Sequence, residues 1–520
     1  MTSLPDKLKS AKAFYAFLGV GTGEREFLEK HAAYRYTQAS IPKRRGGTRT
    51  LLVPERRLKF LQRKTLKLLE ELHSPRAPVH GFVVGRGPVT NANEHQKRPY
   101  LLNLDLKNYF GTVTRRRVVG LLEALGIDGE VAKAVGVICV TRNQLPQGAP
   151  TSPLLANMIS YRLDRDLMGF AKQHLLRYTR YADDISLSSY AHPLALFEGG
   201  LPLSGRVPIE QLSEALRGAI QSNGFEINPE KVWYSGPKSR KEVTGLIVNE
   251  FTNVKRTFVR DLRAALYKVE KMGVSPAEKD YQKRYKTDAH LEKVLRGRLE
   301  WIAQVRGRSF SAYRTLAKRF NKQFPSSSLP IDPTYEEIAE LAVWVVEFGE
   351  GENFSQGTAF FLEGIGLVTA NHVLAELPPG NSADLYRPKA LSAKFKVTPS
   401  SRRCEHRDLL ILDHSVPLEA YLSLPVATSP KSTKDDIIAL GFPEFGPGDE
   451  LSKRPGNIIA RPTKHGVKLI EVSAMLPGGI SGGPIVNDRY QVVGIAQRGG
   501  SGEHKQLAIE VSELVKLAAE

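Results

Sequence analysis

The sequence predicts a multidomain chain in which an α+β part is followed by an all-β part built as a sandwich or a pair of barrels. Three observations carry this. The chain has 520 residues, about three structural units at ~100–200 residues each. Its formal charge of +19 is unevenly spread: residues 1–330 hold 56 Lys and Arg against 30 Asp and Glu, whereas residues 331–520 hold 18 against 25. Between the two lies a stretch at 324–333 with three prolines and three serines in ten residues, the composition of a linker.

The elements follow from periodicity. Residues 4–39 read as short helices around a loop at 19–23. Leu58, Leu61, Leu68, Leu69 and Leu72 recur at helical spacing, with Lys59, Arg63, Lys64 and Lys67 on the other face. That face is either simply solvated or, following Lys43, Arg44, Arg45 and Arg49, turned toward phosphate. Residues 101–106 read as a buried strand. Thr151-Ser152-Pro153 is a helix start, hydroxyl residues before a proline in the first turn, and the helix is expected to run to Gln173. Residues 178–188 alternate on both sides of Ala182-Asp183-Asp184, predicting a β-hairpin with two carboxylates at its turn. Residues 243–248 form a further strand, and 255–322 a basic helical stretch. Beyond the linker, apolar strands alternate with Gly/Pro turns at 342–348, 357–362, 367–370, 409–412, 437–440, 469–472 and 492–496, the pattern of a sandwich or barrel pair.

Composition narrows the setting. Hydrophobic residues make up 41 % and charged residues 25 % of the chain, as in ordinary globular proteins. Cys139 and Cys404 stand alone, too few for a disulfide framework or a Cys-x-x-Cys metal site. No stretch approaches ~20 apolar residues, and the first twelve residues lack a signal-peptide core. The expectation is a cytoplasmic protein without membrane contact. The basic excess before the linker points to a polyanion, of which nucleic acid is the commonest.

Three aspartates carry the first chemistry. Asp105 ends the strand at 101–106, and Asp183 and Asp184 sit on the hairpin turn. A strand-borne carboxylate facing a hairpin-borne pair suits two Mg²⁺ ions, which take hard oxygen ligands and leave positions open for phosphate. Tyr181-Ala182-Asp183-Asp184 resembles the catalytic signature of reverse transcriptases. The segment from Leu145 to Pro153 is similar to that family's nucleotide-pocket motif. Residues 41–72 resemble the fingers, Asn103-Leu104-Asp105-Leu106 the first palm motif, and 291–306 with Trp301 the thumb. The resemblance implies that Asp105, Asp183 and Asp184 bind the two metals. By the same resemblance Lys43 and Arg49 contact the incoming triphosphate, Phe110 is the steric gate against a 2′-OH, and Gln147 lines the nucleotide pocket. Lys231 is either the palm lysine near the leaving phosphate or a surface lysine.

Two shorter motifs narrow the family. Asn91-Ala92-Asn93-Glu94-His95 and Val243-Thr244-Gly245 resemble elements of retron reverse transcriptases, with His95 either structural or a contact to RNA or palm. This implies dNTPs as substrates and, as partners, a structured non-coding RNA template and its DNA product, joined as a branched RNA–DNA hybrid. A reverse transcriptase of another, intron-derived lineage is the alternative.

The second chemistry lies after the linker. In Gly478-Gly479-Ile480-Ser481-Gly482-Gly483-Pro484 a serine sits among glycines whose N–H groups can approach an oxyanion. Upstream, His372 follows Thr369-Ala370-Asn371, and Asp408 precedes an apolar strand, with His406 and Asp413 as nearby competitors. The order His, Asp, Ser resembles the trypsin-like, chymotrypsin-fold serine proteases. Ser481 would then be the nucleophile, His372 the general base, Asp408 its orienting partner, and the N–H groups of Gly479 and Ser481 the oxyanion hole. Ile480 stands where digestive members carry the Asp of their zymogen switch, which argues against that switch here. Met475, by position, floors the primary specificity pocket.

The expected architecture is therefore an α+β right-hand polymerase (fingers, palm, thumb) followed by an all-β double-barrel trypsin-like domain. Its segments are fingers and palm at 1–250, a helical thumb at 251–323, a linker at 324–334 and a protease domain at 335–520. The expected activities are RNA-directed DNA polymerase and serine endopeptidase. The protease, whose protein substrate is unidentified, would be an effector in antiphage defence; the alternative makes it a peptide-binding or maturation module.

Overall fold

Local signals place the first helices. Ser10 Oγ accepts the Ala13 N–H and caps Ala11–Leu18, and Gly19 ends that helix at φ +71°, where a residue without Cβ is at least cost. These elements come from a computed structural model that describes residues 4–42, 48–349, 355–428, 432–498 and 505–520. It divides into two units, Met1–Leu329 and Pro330–Glu520, with the division inside the proline- and serine-rich stretch.

In the first unit, strands Tyr36–Pro42 and Thr48–Pro54 pair antiparallel. Helix Arg56–Glu70 follows and buries Leu58, Leu61, Leu68 and Leu69. Its polar face is not purely solvated: Lys64 Nζ donates to the Phe17 carbonyl at 2.8 Å. The central sheet has five strands in the order Arg177–Tyr181, Asp184–Ser189, Tyr100–Asp105, Trp233–Ser235, Gly205–Arg206. Leu102, Leu104, Ile185 and Leu187 share one apolar core with Val118, Leu122, Leu155, Leu163 and Leu167 from the helices.

The helix expected over 151–173 is two helices, Ser152–Ile159 and Tyr161–Gln173. The break falls at buried Ser160, whose Oγ lies 2.9 Å from the Tyr109 hydroxyl; that hydroxyl also reaches the Ala156 carbonyl at 3.1 Å. Nor does the Thr151 side chain cap the first helix; Ser152 Oγ instead donates back to the Pro146 carbonyl at 2.8 Å. The basic helical stretch is four helices, Arg256–Met272, Val274–Tyr285, Leu291–Arg306 and Ser311–Gln323, interrupted at Gly273, Lys286 and Gly307, all with positive φ.

In the second unit, six strands close a barrel in the order Val343–Phe348, Ser355–Leu362, Gly366–Ala370, Leu409–His414, Phe395–Cys404, Ala383–Tyr386. A second ring runs Ser452–Ala460, Asp436–Gly441, Pro484–Val486, Val492–Arg498, Leu507–Glu510, Val467–Val472 and closes on its first strand. Val345, Phe360 and Leu362 of the first barrel meet Leu440, Val486 and Ile495 of the second in a shared core. All seven stretches expected as strands are strands. Five of the twelve strands in these rings lie outside those stretches: Ala383–Tyr386, Phe395–Cys404, Ser452–Ala460, Pro484–Val486 and Leu507–Glu510. In Phe395–Cys404 and Ser452–Ala460 the Lys, Arg, Ser and Pro residues lie mostly exposed and no apolar alternation marks them. Among the described residues no helix is long and apolar enough to cross a membrane.

Candidate active sites

The palm hairpin pairs Tyr181 with Asp184 across a turn of Ala182 and Asp183. Ala182 has φ +57°, the left-handed conformation that tight hairpin turns require. The neighbouring strand sets Asp105 directly opposite Asp184. Oxygens of Asp105, Asp183 and Asp184 come within 4.8 Å of one another.

Like charges opposite each other destabilise a sheet, so the neighbours matter. Lys231 Nζ lies 2.5 Å from Asp105 Oδ2, and Asn228 Nδ2 donates to Asp105 Oδ1 at 3.0 Å. Loss of hydration works against the Lys231 charge, but the hydrogen bond to Asp105 and the three carboxylates hold its pKa above the ordinary lysine value. Asp184 is pushed up to about 7 by loss of hydration around its carboxyl, then by the charges of Asp183 and Asp105, against the pull of Lys231. The residue itself is exposed, so like-charge repulsion is the cause that this open geometry sustains. An all-oxygen donor set with uncompensated negative charge fits divalent cations of the magnesium class.

Beneath the hairpin lies a network that no sequence motif announces. Arg180, fully buried, makes two parallel hydrogen bonds of 2.7 Å to Asp164. Its Nη1 donates to the Tyr109 hydroxyl, to Asn157 Oδ1 and to the Ala182 carbonyl at the turn itself. The one available signal was a charged residue at an inward-facing strand position. His95 is also buried: Nδ1 lies 2.6 Å from Ser188 Oγ and Nε2 2.7 Å from Thr179 Oγ1. Both ring nitrogens are thus engaged by the two strands of the palm hairpin, a structural contact to the palm and not one to RNA. The Thr244 hydroxyl donates to the Pro88 carbonyl at 2.8 Å, at the start of the helix Pro88–Asn93.

The residues expected at the nucleotide are placed as follows. Phe110 is partly buried on the Tyr109 ring, with centroids 5.3 Å apart. The Gln147 carbonyl accepts the Leu52 N–H at 2.8 Å, fastening the strand Thr48–Pro54 to the pocket turn. Arg49 pairs with Ile41 in that hairpin. Lys43 and the Arg49 side chain lie outside the described residues.

In the second unit Asp408 accepts two hydrogen bonds from His372. The backbone N–H reaches Oδ1 and Nδ1 reaches Oδ2, each at 2.8 Å. The Asn371 N–H donates to the Asp408 carbonyl at 3.1 Å. The competitors go elsewhere: His406 Nε2 meets the His465 carbonyl, and Asp413 is exposed on its strand.

Gly482 brings the serine loop against Thr369 and Ala370, so close that a Cβ there would lie 2.2 Å from Thr369 Oγ1. That strand leads into His372. Ser481 Oγ has the Gln497 carbonyl as its hydrogen-bond acceptor at 3.4 Å, not His372. Among the described residues neither the Gly479 nor the Ser481 N–H has an acceptor. Gly479 has φ +89°, and a Cβ there would meet the Phe442 carbonyl at 2.4 Å. Ile480 is fully buried among Ile437, Ala439 and Ile485, a place where a carboxylate would lack water. A cleft of about 570 Å³ opens beside His372 and Asp408, with Gln497, Lys464 and His465 in its walls. Met475 is 52 % exposed and does not line it.

Fold and sites define the class: a polymerase palm with a carboxylate triad, followed in the same chain by a double barrel of the serine-protease type. Residues 41–248 match the reverse transcriptase (RNA-dependent DNA polymerase) family, and 357–495 the trypsin-like peptidase domain. The retron Ec86 reverse transcriptase of Escherichia coli is 33 % identical over 242 residues, 46 % of this chain and 71 % of that protein. The retron Mx65 reverse transcriptase of Myxococcus xanthus is 35 % identical over 274 residues, 48 % of this chain and 61 % of its own length. The retron Mx162 reverse transcriptase of the same organism is 32 % identical, and 60 % of it is covered. The chain thus spans about three fifths of the length of the two Myxococcus relatives. Among solved structures, the active form of the Rv3671c protease from M. tuberculosis is similar at 21 % identity and a TM-score of 0.31, covering 36 % of this chain and 82 % of that one. The chain belongs to the retron reverse transcriptases, and its C-terminal part carries a trypsin-like peptidase domain.

Proposed function

We propose that this chain is a retron polymerase that copies a structured non-coding RNA into a branched RNA–DNA hybrid, joined to a serine endopeptidase that acts as effector in antiphage defence. The observation that carries the polymerase is the convergence of the Asp105, Asp183 and Asp184 oxygens within 4.8 Å on a rigid hairpin. Two divalent ions held by these residues would supply Lewis acidity for the attacking hydroxyl and the leaving pyrophosphate. Lys231 lies beside them to donate charge to the leaving group. Arg49 and Lys43 bind the triphosphate, Gln147 lines the base pocket, and Phe110 excludes a 2′-OH, so dNTPs are the substrates. Fingers and palm occupy 1–250, the thumb 251–323, the linker 324–334 and the protease 335–520.

In the protease, Asp408 holds the His372 imidazole with Nδ1–H toward the carboxylate. Nε2 is then left to take the Ser481 proton and return it to the leaving amine. The N–H groups of Gly479 and Ser481 stabilise the oxyanion. The site is in the cytoplasm, with the RNA–DNA hybrid restraining the protease until a phage factor disturbs it.

One observation favours a second reading: the Ser481 hydroxyl bonds to the Gln497 carbonyl rather than to His372, as a peptide-binding module would allow. A fluorophosphonate probe separates the two. Labelling of Ser481 in an activated sample supports the protease, and no labelling supports the binding module. Purification with the copurifying nucleic acid, sequenced and tested for branching, tests the polymerase. A single structured RNA with covalent DNA is expected; mixed cellular RNA without DNA would overturn the retron reading.

A further inference from the structure

Phe82 is a bulky residue at φ +60°, a conformation that costs an L side chain and persists only where the surroundings dictate it. The surroundings do so here. Arg86 Nη1 donates to the carbonyls of Arg76, Ala77 and Val79 at 2.8, 3.0 and 2.6 Å. Arg180 N–H donates to the Pro78 carbonyl and His80 N–H to the Arg180 carbonyl, so the segment is laced to the metal-site hairpin. Gly81 is pressed on the turn, where a Cβ would lie 2.3 Å from the Ala182 nitrogen, and its carbonyl accepts from Asn157 Nδ2 at 2.9 Å. The strained backbone thus delivers one side chain, half exposed beside the site, onto Phe110. Their centroids are 6.1 Å apart at 61°, and Tyr109 meets the Phe110 ring separately at 70°.

We propose that Phe82 is a positioning residue for sugar selection, bracketing Phe110 against Tyr109 so that the gate ring cannot yield to a 2′-OH. The proposal rests on the reading of Phe110 as that gate. An apolar wall rejects an added hydroxyl poorly unless it is immovable; a hydrophobic pocket alone gives only about 10² against such an isostere. Two edge contacts supply the immobility that one would not.

The test is single-nucleotide incorporation by the full-length chain on an RNA template annealed to a DNA primer, comparing kcat/KM for a dNTP with that for the matching rNTP. Phe82→Gly removes the ring and suits the positive φ, so the variant keeps its backbone. Its dNTP-over-rNTP ratio should fall about tenfold, carried by a lower KM for the ribonucleotide, and Phe82→Tyr should restore the ratio. Phe110→Val is run alongside. Loss of selectivity in Phe110→Val with none in Phe82→Gly overturns the proposal and leaves the gate standing; no loss in either variant means the gate reading itself has failed. An equal drop for both nucleotides in Phe82→Gly overturns it in favour of a template or primer contact.

Discussion

Asp408 shows how one residue's conformation and contacts combine. It sits at φ +56°, tolerable for Asp because its short polar side chain bonds locally, and it receives both N–H groups of His372. Asp408→Asn would keep the shape but offer the wrong hydrogen-bonding partner to Nδ1. Peptidase kcat should fall by about 10⁴ while Ser481 stays in place, read as loss of turnover with little change in KM. Asp183→Ala removes one of three carboxylates that a metal pair needs and should abolish DNA synthesis, scored by the absence of DNA on the copurified RNA. Arg180 is a buried cation whose donors are met by Asp164, Tyr109, Asn157 and the Ala182 carbonyl. Asp164→Ala would leave that charge unpaired and should cost about 3–5 kcal/mol, measured as a lower denaturation midpoint of the first unit. Asp105, Asp183, Asp184, His372 and Ser481 stand out in the sequence itself, because their types and order match the chemistry proposed for them. Arg180, Asp164, Asn228 and Gln497 do not, because each acts through a partner 16 to 123 positions away.

The hairpin is the element on which the polymerase site depends, and it is held from two directions. Arg180 ties its turn to the helix Tyr161–Gln173, and His95, in the turn that follows the helix Pro88–Asn93, grips both its strands. Burial, followed by the positive charges of Arg98 and Arg177, pushes His95 down to about 3. In the unfolded chain the same residue titrates near 6.5, so between these values the unfolded state binds the extra proton. Stability of the first unit is then fully present above pH 6.5 and declines as pH falls toward 3, with a slope approaching one proton. His95→Gln should flatten that slope in urea titrations run at several pH values. The expected helix over 151–173 was legible as helix but not as two, since the break at Ser160 depends on the Tyr109 hydroxyl from another element. The same holds for strands Phe395–Cys404 and Ser452–Ala460, which pair because the barrels must close and not because their residues alternate.

Across the whole molecule, charge and activity divide at the same place. The first 330 residues carry the basic excess and the palm, and the remaining 190 carry the acidic excess and the double barrel. RNA retention by the full chain should therefore weaken steeply with salt, log K falling with log[salt] by about 0.7 per single-stranded phosphate contact, whereas peptidase turnover should change little over the same range. The two chemistries should also separate genetically. Ser481→Ala should abolish phage defence in a plaque assay and leave DNA synthesis intact; retained defence would remove the protease from the effector role.

The two-part architecture, the carboxylate triad and the His, Asp, Ser order can be read from the amino-acid order alone. Those depend on local periodicity, composition and residue chemistry, which survive being read in one dimension. Folding alone makes His95 a brace, anchors the turn through Arg180 and leans the strained Phe82 on Phe110. These are matters of which distant groups share one buried space, and burial is what makes an unpaired charge or ring nitrogen costly enough to demand those partners.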